Sequence, residues 1–320
     1  MTLTPPLAPP AAPTPAPTTA TRTGRGNPSL PKPWIGWAFL APNLLGVLAF
    51  TLIPLLSVVG LSFTSWNLVS GLEGIEFVGL QNFLDLAVDP GFWNAALRTV
   101  VYAGISVPLT VLGGLGLALL LNGDVPGRAV LRVIFFLPYI VTVVAIGMVW
   151  LMILNPSAGL VNQTLAAFGL QDVPGWFASS HWALPALILI AIWSGVGYAS
   201  MIYLSALSDA PTQLYEAAEV DGAGAWTRFR TITWPSLMPT TVFLLVTLFI
   251  GASQGFGLIA LITAGGPGDA TTVVSYYMYQ NGFQFYRFGY AAAIGMATFV
   301  GVLALTVLTW RAQRGRTLHD

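Results

Sequence analysis

Six long apolar stretches punctuate the chain: Ile35 to Leu61, Thr99 to Leu121, Val133 to Leu154, Trp182 to Leu207, Thr240 to Ile262, and Tyr290 to Trp310. None of them contains Asp, Glu, Lys or Arg. Each is long enough for the ~20 residues that carry a helix across a ~30 Å hydrocarbon core. The pattern therefore predicts an all-α integral membrane protein with six transmembrane helices. Pro42, Pro54, Pro108, Pro138 and Pro185 fall inside or at the edges of these spans. In lipid such prolines are tolerated, because neighbouring helices and hydroxyl side chains re-satisfy the freed carbonyls.

Composition sharpens this picture. The mean hydropathy is +0.75 and charged residues make up 8% of the chain, against about 25% in soluble domains. Twelve basic residues balance twelve acidic ones, so net charge points to no nucleic-acid partner. With no cysteine, disulfides, thiolate metal sites and a cysteine nucleophile are excluded. The two histidines, His181 and His319, lie far apart in sequence, which argues against a metal site. No span carries paired carboxylates, and no histidine stands near a nucleophile within a span, so no catalytic residue is expected.

The first 33 residues are rich in Pro, Thr and Ala, with Arg22, Arg25 and Lys32 their only charged side chains. Such a tract cannot bury enough apolar surface to fold, and it lacks the layout of a cleaved signal. The expected organisation is a disordered tail over 1–33, a membrane domain over 34–311 and a short tail over 312–320.

Basic residues assign the sides. Arg22, Arg25 and Lys32, then Arg128 and Arg132, Arg228 and Arg230, and Arg311, Arg314 and Arg316 fall on one side of the six spans; only Arg98 and Arg287 fall on the other. Basic loops stay inside, so both termini and the segment 208–239 are expected to face the cytoplasm. Trp34, Trp37, Trp93, Trp182 and Trp310 sit near span ends, where amphipathic rings anchor at the headgroups.

The segment 208–239 between spans four and five reads as two short helices. Pro211 suits a first helical position, Thr212 to Val220 contains good helix formers, and Gly222 and Gly224 supply a stop and a turn. A second helix from Ala225 to Thr233 is expected to end before Pro235. On the first helix Leu214, Ala217 and Ala218 share a face and allow close approach by another surface. It carries Glu216 and Glu219, with Asp221 just beyond, and no base, unlike a helix that binds anionic lipid.

In order and spacing, Glu216, Ala217, Ala218, Asp221, Gly222, Ala223, Phe229, Ile232, Pro235 and Pro239 resemble the EAA signature of binding-protein-dependent ABC importer permeases. The resemblance implies type I importer architecture, with the EAA helix seated in a cleft of a cytoplasmic ATPase by helix-in-groove recognition. Phe77 to Phe83, Phe135 to Tyr139, Asn155 to Asn162, Thr263 to Gly268 and Tyr279 to Phe285 are similar to the carbohydrate-uptake branch, that of maltose and glycerol-phosphate permeases. The likeness runs from about Trp34 to Arg311. It implies as partners a second, related permease subunit in a heterodimer, two ATP-binding subunits and an extracytoplasmic solute-binding protein, in a bacterial inner membrane. That protein is expected to meet the external loops from Asn155 to His181 and from Thr263 to Gly289.

The energy source must lie elsewhere. A phosphate-binding loop needs Gly, four residues, Gly, Lys and Ser or Thr, and the one lysine, Lys32, is followed by Pro33. This chain is therefore expected to hold no cofactor, with ATP and Mg on partner ATPase subunits. An ion-coupled secondary transporter is the alternative, but such carriers commonly place an ionisable residue within the membrane. A channel, the third reading, would not require the EAA helix.

A neutral sugar needs hydroxyl, amide and aromatic partners. Tyr139 and Thr142 in span three, Trp193, Ser194, Gly195 and Tyr198 in span four, and Ser253 and Gln254 in span five are the substrate-path candidates. Small and hydroxyl residues equally mediate helix packing in lipid. Asn162-Gln163-Thr164 matches a glycosylation acceptor and is assigned no role.

Overall fold

The computed structural model describes residues 33–170 and 173–314. Among them the structure is helical with no strand; two isolated antiparallel bridges, Thr64 with Phe77 and Asn67 with Arg287, are its only β pairings. The tail over 1–33 falls, but for Pro33, outside the described residues, as does most of 312–320.

The chain divides into two compact units, one up to Pro54 and one from Leu55 onward. The first holds α1 (Pro33–Val47) and a π-helical turn, Leu48–Leu52. The helical run Trp37–Leu61, which ends in α2 (Ile53–Leu61), is long and apolar enough to cross a membrane, and none of it is buried.

The second unit is built on α4 (Pro90–Asn122), α8 (Ala183–Ser208) and α11 (Trp234–Ser253). Val107, Val111, Leu115, Tyr203, Leu237 and Leu244 form the core between them. Small residues allow the close approach. A Cβ at Gly114 would lie 2.4 Å from the Ala199 side chain, and one at Gly197 would overlap the carbonyl of Phe135 on α5 (Arg128–Ile140). Because apolar surface gains little by leaving lipid for another helix, such contacts rest on van der Waals fit and hydrogen bonds. The hydroxyl of Tyr203 supplies one, donating to Thr241 Oγ1 at 2.9 Å inside the core.

Two of the six expected spans are interrupted. The third breaks by 100° between α5 and α6 (Val143–Ile153). Val141 turns extended, and the Thr142 hydroxyl caps α6 by accepting from the Ala145 amide. The fifth stops at Ser253 and resumes as α12 (Phe256–Ile262) after Gln254 and Gly255. The second pieces of the two spans, α6 and α12, pack on each other. Span two begins at Pro90, nine residues before the hydropathy edge, because Asp89 caps it and Pro90 takes the first turn. Span six is α14 (Phe288–Arg314).

A second difference concerns Pro235. The expected helix from Ala225 does not end before it: α10 (Ala225–Arg228) passes through a π-helical turn, Phe229–Thr233, straight into α11, giving an unbroken helical run Ala225–Ser253. Pro235 falls just past the π turn, inside this run, where a membrane helix tolerates it, and the Ser236 hydroxyl donates to the Ile232 carbonyl at 2.7 Å.

The connecting segments are tied down by side chains. On α7 (Leu160–Ala167), Asn162 is buried, donates to the carbonyls of Pro156 and Pro174, and accepts from the Trp176 indole. The glycosylation pattern therefore falls on a packing residue. The Gly265 to Gly268 run is a folded turn: Gly265 and Gly268 take positive φ, and Thr271 and Thr272 donate to the carbonyls of Gly266 and Gly265.

Candidate functional site

Two sites stand at either end of α11. At its start lies the segment that carries the EAA-like residues. Here α9 (Thr212–Val220) stops in a Schellman arrangement: Gly222 N–H donates to the Glu219 carbonyl and Ala223 N–H to the Ala218 carbonyl. Gly222 makes this possible with φ +72, a left-handed conformation that costs other residues about 1–2 kcal/mol.

The segment is presented to solvent and fastened from behind. Glu216, Ala217, Asp221 and Gly222 are exposed, and so are Leu214 and Val220. On the inner side the Tyr215 hydroxyl shares a 3.0 Å hydrogen bond with Thr233, itself buried in the π turn. Phe229 stacks against Trp226 and tilts toward Trp234, packing on the α4–α8–α11 core. Arg228 reaches Glu219 at 3.7 Å across the turn; this exposed pair adds little, since surface ion pairs contribute ~0–1 kcal/mol. The half-buried Ile232 lies in the same turn, and Pro235 is exposed just beyond it. α9 is thus tied by a hydrogen bond to the turn that leads into α11, and that turn is packed by its rings on the core.

At the far end, α11 lines a cavity of about 320 Å³ bounded also by α4, α5 and α8. Tyr139 and Tyr198 stack face to face on its wall, centroids 4.4 Å apart at 17°. Ser106, Thr110, Ser194 and Thr247 add hydroxyls, and Gly195, Gly251 and Gly255 leave room. Ser106, Ser194 and Thr247 spend their protons on their own helices, donating to the carbonyls of Tyr102, Ile190 and Phe243. Their oxygens are left as acceptors. Among the described residues, no Asp, Glu, Lys, Arg or His lines the cavity. An arrangement of hydroxyl acceptors, aromatic rings and no charge suits an uncharged ligand rich in O–H donors.

Of the substrate-path candidates, Tyr139, Ser194, Gly195 and Tyr198 come together in this cavity. The others go elsewhere. Thr142 caps α6, and Trp193 stands edge-on to Trp150 with centroids 5.5 Å apart. Ser253 and Gln254 line a separate apolar groove of about 740 Å³ bounded by α2, α13 (Val274–Tyr279) and α14. The reason is helical phase: Ser253 lies about 200° around α11 from Gly251, off the face that Thr247 and Gly251 present, and Gln254 follows at the break. Ser106, Thr110 and Thr247 were missed, although they fall in predicted spans at helical spacing from residues that pack on the cavity wall.

A third cluster has no sequence signal. Asp89 accepts hydrogen bonds from the hydroxyls of Tyr277 and Tyr290 and from the Gly91 amide. Arg287 lies over the Tyr290 ring at 4.4 Å. Burial works to raise the Asp89 carboxyl, but these bonds outweigh it and hold its pKa below the ordinary value. Its proton-donating partner Tyr277 is pushed up to about 12, by burial first and then by the carboxylate it serves.

Residues 110–315 match the family described as "Binding-protein-dependent transport system inner membrane component". The chain is 34% identical over 295 residues to the sulfoquinovosyl glycerol transport system permease protein SmoG of Agrobacterium fabrum, covering 89% of this chain and 95% of that one. It is 33% identical over 282 residues to the trehalose/maltose transport system permease protein MalF of Thermococcus litoralis, covering 88% and 94%. Its fold is similar, with a TM-score of 0.77 at 29% identity over 89% of this chain and 95% of the other, to a chain in the crystal structure of a bacterial alginate ABC transporter in complex with an alginate pentasaccharide-bound periplasmic protein.

Proposed function

Because the chain belongs to the family of binding-protein-dependent transport system inner membrane components, we propose that it is the permease subunit of an ATP-binding-cassette importer for a sugar or related polyol. An extracytoplasmic binding protein delivers the solute, and ATP hydrolysis on separate subunits drives its passage. The carrying observation is the continuity between the two sites: the Tyr215–Thr233 hydrogen bond fastens α9 to the turn at the base of α11, whose other end lines the cavity.

In this reading both termini and α9 face the cytoplasm, as the placement of basic residues requires, and the membrane is the bacterial inner membrane. An ATPase cleft receives the exposed acidic and small-residue face of α9, as a groove receives a helix. Glu216, Ala217, Ala218, Asp221, Gly222 and Ala223 form the contact, while Phe229, Ile232 and Pro235 lie in the turn behind it. A second, related permease chain completes the translocation path, and Mg and ATP bind only on the ATPase subunits.

The ligand chemistry follows from the cavity. Acceptor oxygens of Ser106, Ser194 and Thr247 meet sugar hydroxyls as donors, and the Tyr139–Tyr198 pair offers a flat face to a pyranose ring. With no cation on this wall, a neutral saccharide is favoured over an acidic one, whose charge would lose hydration without compensation.

The test is reconstitution of the assembled complex in vesicles, with neutral mono- and oligosaccharides presented by the binding protein. Uptake that requires ATP and is abolished by Glu216→Lys, with membrane insertion intact, is the expected result. Uptake unaffected by that charge reversal, or driven by an ion gradient without ATP, overturns the reading.

A further inference from the structure

The short helix α3 (Gln81–Val88) presents three distinct faces. Inward, Asn82 and Leu86 are buried, and the Asn82 amide donates to the carbonyls of Ser62 and Thr64. Centred about 180° around the helix from them, Leu80, Leu84 and Val88 recur every four residues and are 61–77% exposed. Between these faces runs a polar edge, where the Gln81 amide donates to the Asp85 carboxylate at 2.8 Å.

The apolar outer face does not stand alone. At its end the Trp93 indole N–H donates to the Ala87 carbonyl at 2.9 Å, tying the last turn of α3 to the first turn of α4. From Trp93 an exposed apolar stripe continues along α4 through Leu97, Val101, Ile105, Leu109 and Leu112. That stripe lies on a helix long and apolar enough to span the bilayer.

We infer that α3 lies in the membrane–water interface, with Leu80, Leu84 and Val88 dipping into the boundary between headgroups and acyl chains and the Gln81–Asp85 edge facing water. Lipid is the occupant because the patch runs without interruption into the stripe of a spanning helix, at the depth where Trp93 marks the interface. A helix with an apolar face, a polar edge and a length of two turns cannot cross the bilayer, but it gains by laying that apolar face in it. The inward face, bonded through Asn82, fixes the helix's rotation, so the lipid-facing side is set by the fold.

The absence of cysteine from the chain makes the test direct. Single cysteines at Leu84, Val88 and Asp85 carry nitroxide labels in the full chain, assembled with its partner subunits in phosphatidylcholine–phosphatidylglycerol vesicles. Collision with oxygen, which concentrates in lipid, is compared with collision with a water-soluble nickel chelate. The expected result is a higher oxygen-to-nickel ratio at 84 and 88 than at 85. Equal ratios at all three positions place the helix in water and overturn the inference; protection of 84 and 88 from both reagents means that protein covers the face, and overturns it equally. The inference needs only that α4 spans the bilayer, so it stands or falls independently of uptake.

Discussion

Tyr277 donates a 2.6 Å hydrogen bond to the carboxylate of Asp89, 188 positions away in the chain, and Tyr290 donates to the same oxygen. One side chain thus joins the start of α4 to α13 and α14. Asp89 also caps α4 through the Gly91 amide, so its removal leaves two tyrosine hydroxyls and a helix end without a partner. Asp89→Ala is expected to cost on the order of 1–3 kcal/mol, read as a lower unfolding temperature of the detergent-solubilised protein.

The same residue makes a pH prediction. Its pKa is depressed in the folded state, so the stabilisation is fully present above the unfolded carboxylate value of about 4 and is lost as pH falls through the lower folded value. Stability of the wild-type protein should therefore be flat near neutrality and decline in acid, and Asp89→Asn should reduce that decline. An unchanged acid limb in the variant would show that other carboxylates carry it.

Gly222 is required for its backbone conformation, since a Cβ there meets no atom within 4 Å yet φ is +72. Gly222→Ala is expected to cost about 1–2 kcal/mol, loosening the end of α9 while leaving insertion intact. Sugar-stimulated ATPase activity and uptake should both fall in the reconstituted complex, and Gly222→Pro should abolish uptake.

Tyr215→Phe removes only the hydroxyl that meets Thr233. A lost hydrogen bond of about 0.5–1.5 kcal/mol should leave the fold and ATPase binding in place but weaken transmission. The expected signature is a lower ratio of solute moved to ATP hydrolysed. An unchanged ratio would show that this bond does not carry the coupling.

In the cavity, Tyr198→Ala removes one of two stacked rings and should weaken uptake roughly two- to tenfold, the equivalent of the ~0.5–1.5 kcal/mol carried by such stacking. Tyr198→Phe keeps the ring and should retain most of the activity. Gly197→Ala acts differently, because its Cβ would collide with the backbone carbonyl of Phe135. It should force α5 from α8 and lower thermal stability.

How far the sequence could be read depended on how local each signal was. Apolar runs marked six spans, and Thr212 to Val220 followed by Gly222 marked α9 and its stop, because helix formation, capping and left-handed turns depend on near neighbours. Pro235 misled for the same reason: a local rule ends a helix there, whereas the π turn over Phe229–Thr233 and the packing of Phe229 carry it on. The cavity was half legible. Tyr139, Ser194, Gly195 and Tyr198 were recognisable, while Ser253 and Gln254 face a different groove.

Hydropathy and glycine placement, by themselves, determined that this chain lives in lipid and presents a short acidic helix between its fourth and fifth spans. Which hydroxyls share a cavity, where spans three and five break, and that Asp89 answers to Tyr277 and Tyr290 were decided only by tertiary structure. In lipid a hydrophobic side chain gains almost as much facing a tail as facing a helix, so apolarity cannot say which face turns inward. That choice falls to steric fit at residues such as Gly197 and to hydrogen bonds between residues far apart in the chain.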